Sequence, residues 1–585
     1  MTTNPIRLML CALAACAGAA LTADVPAAET PTPMPTPAAT APALPAATSA
    51  SRPDSPLAAQ RTIKAIWKAR KQYLLDGVNA KLARRETVAL YELQGSTNAL
   101  LEYAACSGDS DVLDGLSELY LTAHGYLRPE KTYVYHYLPG HGRLSTLPLD
   151  PPEEMWASAG GEVVLDVSQF LHAAARATSV VLDVKADRRT EQMKQLVNKF
   201  APTLKAHYQR WVFGSPGVFQ VTGWGGDAGT FDHYHYLEKK ADRKFTGPGY
   251  CNAVDDVDMW VLAGVVEMLA AHQKDPAAVP LEKEQAAKFL NYVALGTRLL
   301  KSRLTESPLK DFNGEPVTGW NFDLGAWDAH PDYDYTGYVG ATFPTAGDRK
   351  AAKGVGWDIS HARRFVFVFD TLHNNRDVTG QTLPTREDMT RLANQLVYGA
   401  FNRDFVKPLF TNVMDGTNGW YRVNYSGRKN FGYGPYGECN AVPTGGYGLW
   451  SRYNPDVTRV TDALWKMIRT VAPDGTPERP GDGAGREIAE HVAKYYSPSY
   501  AQPNSLDLMA LLASKVHDWD LTPAVKPTAT SRPTDRSAST PVGRRTGQTA
   551  LSGSGGMNPA RDRNADYQCG GLGNSGIHSE VVYVR

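Results

Sequence analysis

The chain has 585 residues, enough for one very large domain or several, and 42% of them are hydrophobic, so a sizeable core can form. Lys plus Arg and Asp plus Glu are both 61, and the resulting net charge of zero excludes a global basic field for nucleic acid. Its 12 Trp and 28 Tyr suit a large core and also surfaces on which sugar rings stack.

Residues 1–23 read as a targeting segment. Arg7 supplies the charged start, and Leu8 to Ala20 is an apolar run too short to span a membrane. Ala17-Gly18-Ala19 fits ordinary signal cleavage, whereas Leu13-Ala14-Ala15-Cys16 resembles a bacterial lipobox, which would put a lipid on Cys16 and attach the protein to an outer membrane. Both exits lead out of the cytoplasm, to the periplasm, the outer membrane or the medium. Residues 24–58 are Ala, Pro, Thr and Ser with almost no bulky side chains, the composition of a disordered tether.

From residue 59 to 519 the apolar period is helical. Helices are expected over 59–75, 85–105, 109–124, 166–184, 190–212, 252–273, 281–304, 357–374, 386–402, 457–470, 486–496 and 505–516. Many helices in series, without a fixed repeat, predict an all-α fold of paired helices closing into an (α/α) toroid of six or seven pairs. Three long connections, 213–250, 310–356 and 405–456, are rich in Gly, Trp, Tyr, Asn and Asp. Loops of that length in a compact helical body are usually functional, so a cleft is expected where they meet over one end. Residues 520–585 are Thr, Ser, Pro, Arg and Gly, a disordered tail.

The first loop holds Trp224, His233 and His235. Two histidines two apart share a face on a strand, but no third ligand is marked, so a substrate-facing loop is preferred to a metal site. The six cysteines make no CxxC, which argues against structural zinc, and no metal or cofactor is expected. YCNAVDD follows. Its Asn252 can donate to a substrate carboxylate, while Asp255 and Asp256 fit the positive start of a helix. In the second loop Trp320 and Trp327 offer stacking faces, and Tyr335 and Tyr338 add hydroxyls.

GVGWDISHARRFVFVFDTLHNN, residues 354–375, reads as a helix with a chemically loaded first turn. Asp358 or Ser360 can cap it, and Asp358, His361 and Arg364, three apart, share a face. The bland alternative is a capped core helix in which Asp358 pairs with His361 or Arg364. The third loop mixes Trp420, Tyr421, Arg422 and Tyr425, aromatic and cationic groups that a polyanionic sugar would need, with Glu438 its lone acid between Asp415 and Asp456. No G-x-S-x-G, Walker loop or HExxH pattern occurs, which weakens serine-hydrolase, nucleotide and zincin readings.

On SHARR, the asparagine of YCNAVDD and the tyrosine of NGWYRVNY, the 59–519 region resembles secreted bacterial carbohydrate-active enzymes with a helical toroid, most like alginate and glucuronan lyases. The resemblance implies β-elimination of a uronic-acid polymer. That chemistry needs a donor to neutralise the carboxylate, a base and an acid. Asn252 and Arg364 are the expected neutralisers, His361 the base, oriented by Asp358, and Tyr421 the acid, with Tyr335 and Tyr338 as rivals. Trp224, His233, His235, Trp320, Trp327, Tyr335, Asp358, Trp420 and Arg422 are expected to bind substrate. A glycoside hydrolase with paired carboxylates on the same scaffold and a non-catalytic glycan-binding lipoprotein are the alternatives. Oligomeric state is open.

Overall fold

The computed structural model describes residues 56–134, 146–158, 161–425, 428–471, 483–497 and 500–516, apart from positions 216, 220, 222–225, 228 and 501. The leader, the tether up to residue 55, the tail and Trp224 lie outside the described residues, whereas residues 56–58, expected in the tether, open the first helix.

The described chain is mostly helical. The order is α1 Pro56–Ala83, α2 Val88–Ser107, α3 Ser110–His124, β1 Arg128–Val134, β2 Thr146–Met155, α4 Val164–Asp183, α5 Glu191–Phe213, α6 His233–Ala241, α7 Asp256–Lys274 and α8 Lys283–Ser302. It continues with β3 Leu304–Lys310, β4 Pro316–Phe322, α9 Ile359–Asn374, α10 Arg376–Thr379, α11 Arg386–Asn394, α12 Ala441–Thr444, α13 Asp456–Arg469, α14 Gly483–Tyr495 and α15 Leu506–Lys515. Side-chain caps set several starts. Asp109 accepts from Val112 N, Thr190 from Met193 N, and Asp255 makes a reciprocal box with Asp258. α2 stops at Gly108, whose φ of +67° a side chain would resist.

Every expected helix has a counterpart. The helix expected over 386–402 is α11 followed by a π-helical turn, Gln395–Ala400. α6 lies inside the first connection, where its composition predicts a loop. β1 with β2, and β3 with β4, form two antiparallel pairs, the second running in regular register from Leu304↔Phe322 to Lys310↔Pro316. The second pair opens the 310–356 connection, so less of that connection is irregular than its composition suggests. No helix among the described residues is long and apolar enough to cross a membrane.

Packing neighbours follow a cycle. α2 packs on α4, α4 on α7, α7 on α9, α9 on α12, α12 on α15, and α15 on α2. Of the other helices, α1 packs on α2 and α15, α3 on α2, α5 on α4, α8 on α7 and α13 on α15. One large apolar cluster contains residues from all of these helices. Inside it Arg176 of α4 is held between carboxylates of α2 and α7. Its Nε donates to Glu102 at 2.8 Å, and Nη1 lies 3.8 Å from Glu267.

Candidate active site

α9 begins where the backbone of Asp358 bridges Val413 of the third connection. Asp358 is its N-cap and accepts from His361 N at 2.9 Å. The same carboxylate gathers four side-chain donors: His361 Nδ1 at 2.8 Å, Ser360 Oγ at 2.7 Å, Tyr421 Oη at 3.1 Å and Tyr333 Oη at 3.3 Å. Burial alone would push this carboxyl up, but His361, Arg422 and Ser360 outweigh it and hold the group well below the usual range. A permanently ionised Asp358 fixes the imidazole with its proton on Nδ1, which leaves Nε2 as the lone-pair nitrogen. Arg422 Nη2 donates to that nitrogen at 3.0 Å.

Arg422 is itself held from two sides. Its N–H donates to Asp332 O at 3.0 Å and its Nε to Asp332 Oδ2 at 3.2 Å. Its φ of +54° is left-handed, a conformation an L side chain adopts only where its surroundings impose it. Glu438 completes the inner group. Its Oε1 lies 3.0 Å from the Ser360 hydroxyl, and burial, followed by the Asp358 charge, raises its carboxyl well above normal. Glu438 therefore carries the proton of this carboxyl pair.

Ser360, His361, Arg422 and Glu438 border a cleft of about 760 Å³. α9 contributes Ser360, His361, Arg363 and Arg364, and the third connection Arg422, Tyr433 and Glu438. The remaining walls come from α1, α2, α12 and the 500–510 segment. From α2 comes Tyr91, which the sequence reading passed over. Arg363 Nη2 donates to its oxygen at 3.1 Å and Arg364 Nη2 at 3.0 Å. Burial raises this phenol, but Arg364 and then Arg363 more than cancel that, and the net shift is downward. Arg364 is in turn paired with Asp256 at 3.0 Å and donates to Ser360 O. Tyr91 was hard to find in sequence because its partners stand 272 and 273 positions away. The available signal was a polar patch, Tyr91, Glu92, Gly95 and Ser96, on an otherwise buried helix.

The structure brings His361, Arg364, Arg422 and Asp358 together and disperses the rest. Asn252 spends both side-chain heteroatoms on the backbone of Phe245, at 3.0 and 2.8 Å, and does not line the cleft. Tyr421 is buried behind Asp358 and does not line it either, so it positions the carboxylate. His233 and His235 lie on α6, where two-residue spacing points side chains apart. His233 is sealed between Tyr292 and Asp258, while His235 is exposed and bonds Asp232. Trp320 bonds Asp388, Trp327 packs against Trp357 and His330, and the Trp420 indole donates to Gly340 O. None of these three, nor Tyr335, borders the cleft. Of the three connections, the third walls the cleft, the second stands behind it through Asp332 and Tyr333, and no described residue of the first lines it.

Among the described residues no group of three His, Cys, Asp or Glu is placed to hold a metal ion. No family model, no curated protein and no solved structure matches the chain.

Proposed function

We propose that this chain is a polysaccharide lyase that cleaves a uronic-acid-containing polymer by β-elimination, on an (α/α) toroid. The closed cycle of contacts from α2 round to α15, with α1, α3, α5 and α8 packed against it, supports the toroid. The leader at residues 1–23 supports action outside the cytoplasm, and the zero net charge speaks against a nucleic-acid substrate.

One observation carries the reading. A tyrosine flanked by two guanidiniums and an imidazole oriented by a buried carboxylate border the same cleft. Elimination removes the proton alpha to the carboxylate; its electron pair forms the C4=C5 double bond, and the C4–O bond breaks to the departing sugar. Charge accumulates on the carboxylate meanwhile, and guanidinium groups are suited to meet it. In this reading Arg363 and Arg422 take the carboxylate. Turning toward it draws Arg422 off His361 Nε2, which then accepts the proton. Tyr91, whose phenol is easier to ionise than an ordinary one, protonates the departing oxygen. Tyr91 thus takes the role expected of Tyr421, and Asn252 has none.

The test is incubation with alginate, glucuronan and neutral glucans. New absorbance near ~235 nm reports the unsaturated uronic end, as expected for acid–base elimination. His361→Ala should abolish it with the fold intact; turnover near wild type removes His361 from the scheme. A second reading, glycoside hydrolysis, draws on Glu438, a carboxyl kept protonated in the cleft wall. Its carboxylate neighbour Asp358 shares the Ser360 hydroxyl with it, whereas hydrolysis wants two carboxyls about 5–9.5 Å apart across the sugar. Reducing ends without the new absorbance would favour that reading.

A further inference from the structure

The elimination scheme leaves one edge of the cleft without a task. α1 borders it with Arg70, Tyr73, Gly77 and Lys81, three or four residues apart, so a single stripe of that helix faces the space. Tyr73 is 62% exposed although it is a large aromatic residue. The Arg70 guanidinium sits 5.3 Å from the centre of its ring, and Arg70 Nε donates to Asn504 O, which ties α1 to the 500–510 wall.

The glycines on this edge lack a structural reason. Gly77 in α1 and Gly95 in α2 are interior to helices, where glycine is disfavoured against alanine. Neither has a left-handed backbone, and a Cβ at either would meet nothing within 4 Å. Both border the cleft, so a side chain at either position would extend into it. A separate observation also points to a ligand. Arg364 Nε, on a cleft-lining side chain 2% exposed, has no hydrogen-bond partner.

We infer that this α1 edge, with Gly95 of α2, is a second subsite that takes a flanking uronate residue of the bound polymer. Tyr73 offers an apolar face to the sugar ring, Arg70 a guanidinium to its carboxylate, and the two glycines the clearance a polymer needs to lie along the helix pair. The inference rests on the uronate-lyase reading for the identity of the sugar.

The experiment uses the full chain with uronate oligosaccharides of three and six residues. Tyr73→Ala raises KM for the hexasaccharide roughly fivefold and leaves KM for the trisaccharide in place. Gly77→Leu weakens hexasaccharide binding by roughly tenfold. Gly77→Ala is the fold control, with an unchanged or raised melting temperature. If wild-type protein turns over both oligosaccharides and the Tyr73 and Gly77→Leu variants treat the hexasaccharide as wild type does, the subsite is wrong and the lyase stands. If wild type gives no unsaturated product, the lyase reading fails and calorimetric titration of the hexasaccharide decides the subsite. Binding by wild type that weakens in both variants upholds it, and equal or absent binding overturns it.

Discussion

Replacing Arg363 by Met removes one of the two guanidiniums that lower the Tyr91 phenol while leaving the aliphatic stem. The Arg363 Nη2 to Tyr91 Oη distance is 3.1 Å. Unit charges 4 Å apart interact by about 4 kcal/mol at an effective dielectric near 20. Both side chains border the open cleft, so solvent screening reduces this to on the order of 1 kcal/mol. The Tyr91 pKa should therefore rise in Arg363→Met. As general acid, Tyr91 must be protonated to act, so the alkaline limb of the kcat profile moves up with it. Were Tyr91 the base, the acidic limb would move up instead and turnover at neutral pH would fall. Tyrosinate absorbance, taken as the difference from a Tyr91→Phe protein, follows the same ionisation without substrate. A phenol that titrates identically in wild type and Arg363→Met, with neither limb displaced, refutes the electrostatic coupling.

Tyr421→Phe deletes one donor to a buried carboxylate that keeps the others, so it should cost about 1–3 kcal/mol of stability by urea unfolding and far less turnover than Tyr91→Phe. Glu438→Gln mimics the protonated carboxyl; a lyase should retain activity, and complete loss would move the assignment toward hydrolysis. Asp166, buried with Thr87 as its donor, has its carboxyl pushed up to about 7 by burial. Its native pKa lies above its unfolded one, so this group destabilises the fold when ionised. Relative to Asp166→Asn, wild type should gain on the order of 4 kcal/mol as pH falls from 7 to 4; a pH-independent difference in unfolding free energy contradicts this. Arg176→Met strands Glu102 and Glu267 in the core and should lower stability by about 3–5 kcal/mol in the same assay.

The helices were legible because their apolar period and caps are local. Spacing offers Asp358 or Ser360 as the cap and His361 or Arg364 as the partner of Asp358; the cap is Asp358 and the partner His361. The aromatic loops misled because tryptophan satisfies stacking and packing patterns equally well. Trp420 and Trp320 each place an indole N–H on a protein acceptor away from the cleft, which no local pattern reveals. The histidines of the first connection depended on assuming a strand, and helical geometry at 233–241 separates them. Arg422 was named for its charge, but its grip on His361 requires a left-handed backbone next to Asp332, a pairing 90 positions apart. Tyr91, and the α1 edge with it, belonged to helices that read as ordinary core.

The pairing of α15 with α2 bears on when the cleft can exist during synthesis. Tyr91 and Gly95 precede by roughly 400 positions Ser505, Leu506 and Ala510, which border the same space. A polypeptide emerging from its amino end has no complete wall until residue 510 has been made, and the α2 surface that α15 covers stays bare until then. Closing so long a loop is slow, since its entropy is lost before the final contacts form. The pocket is thus among the last features of the molecule to appear, and a nascent chain stopped short of α15 carries Tyr91, His361 and Arg422 without the enclosure that brings them to bear on a substrate.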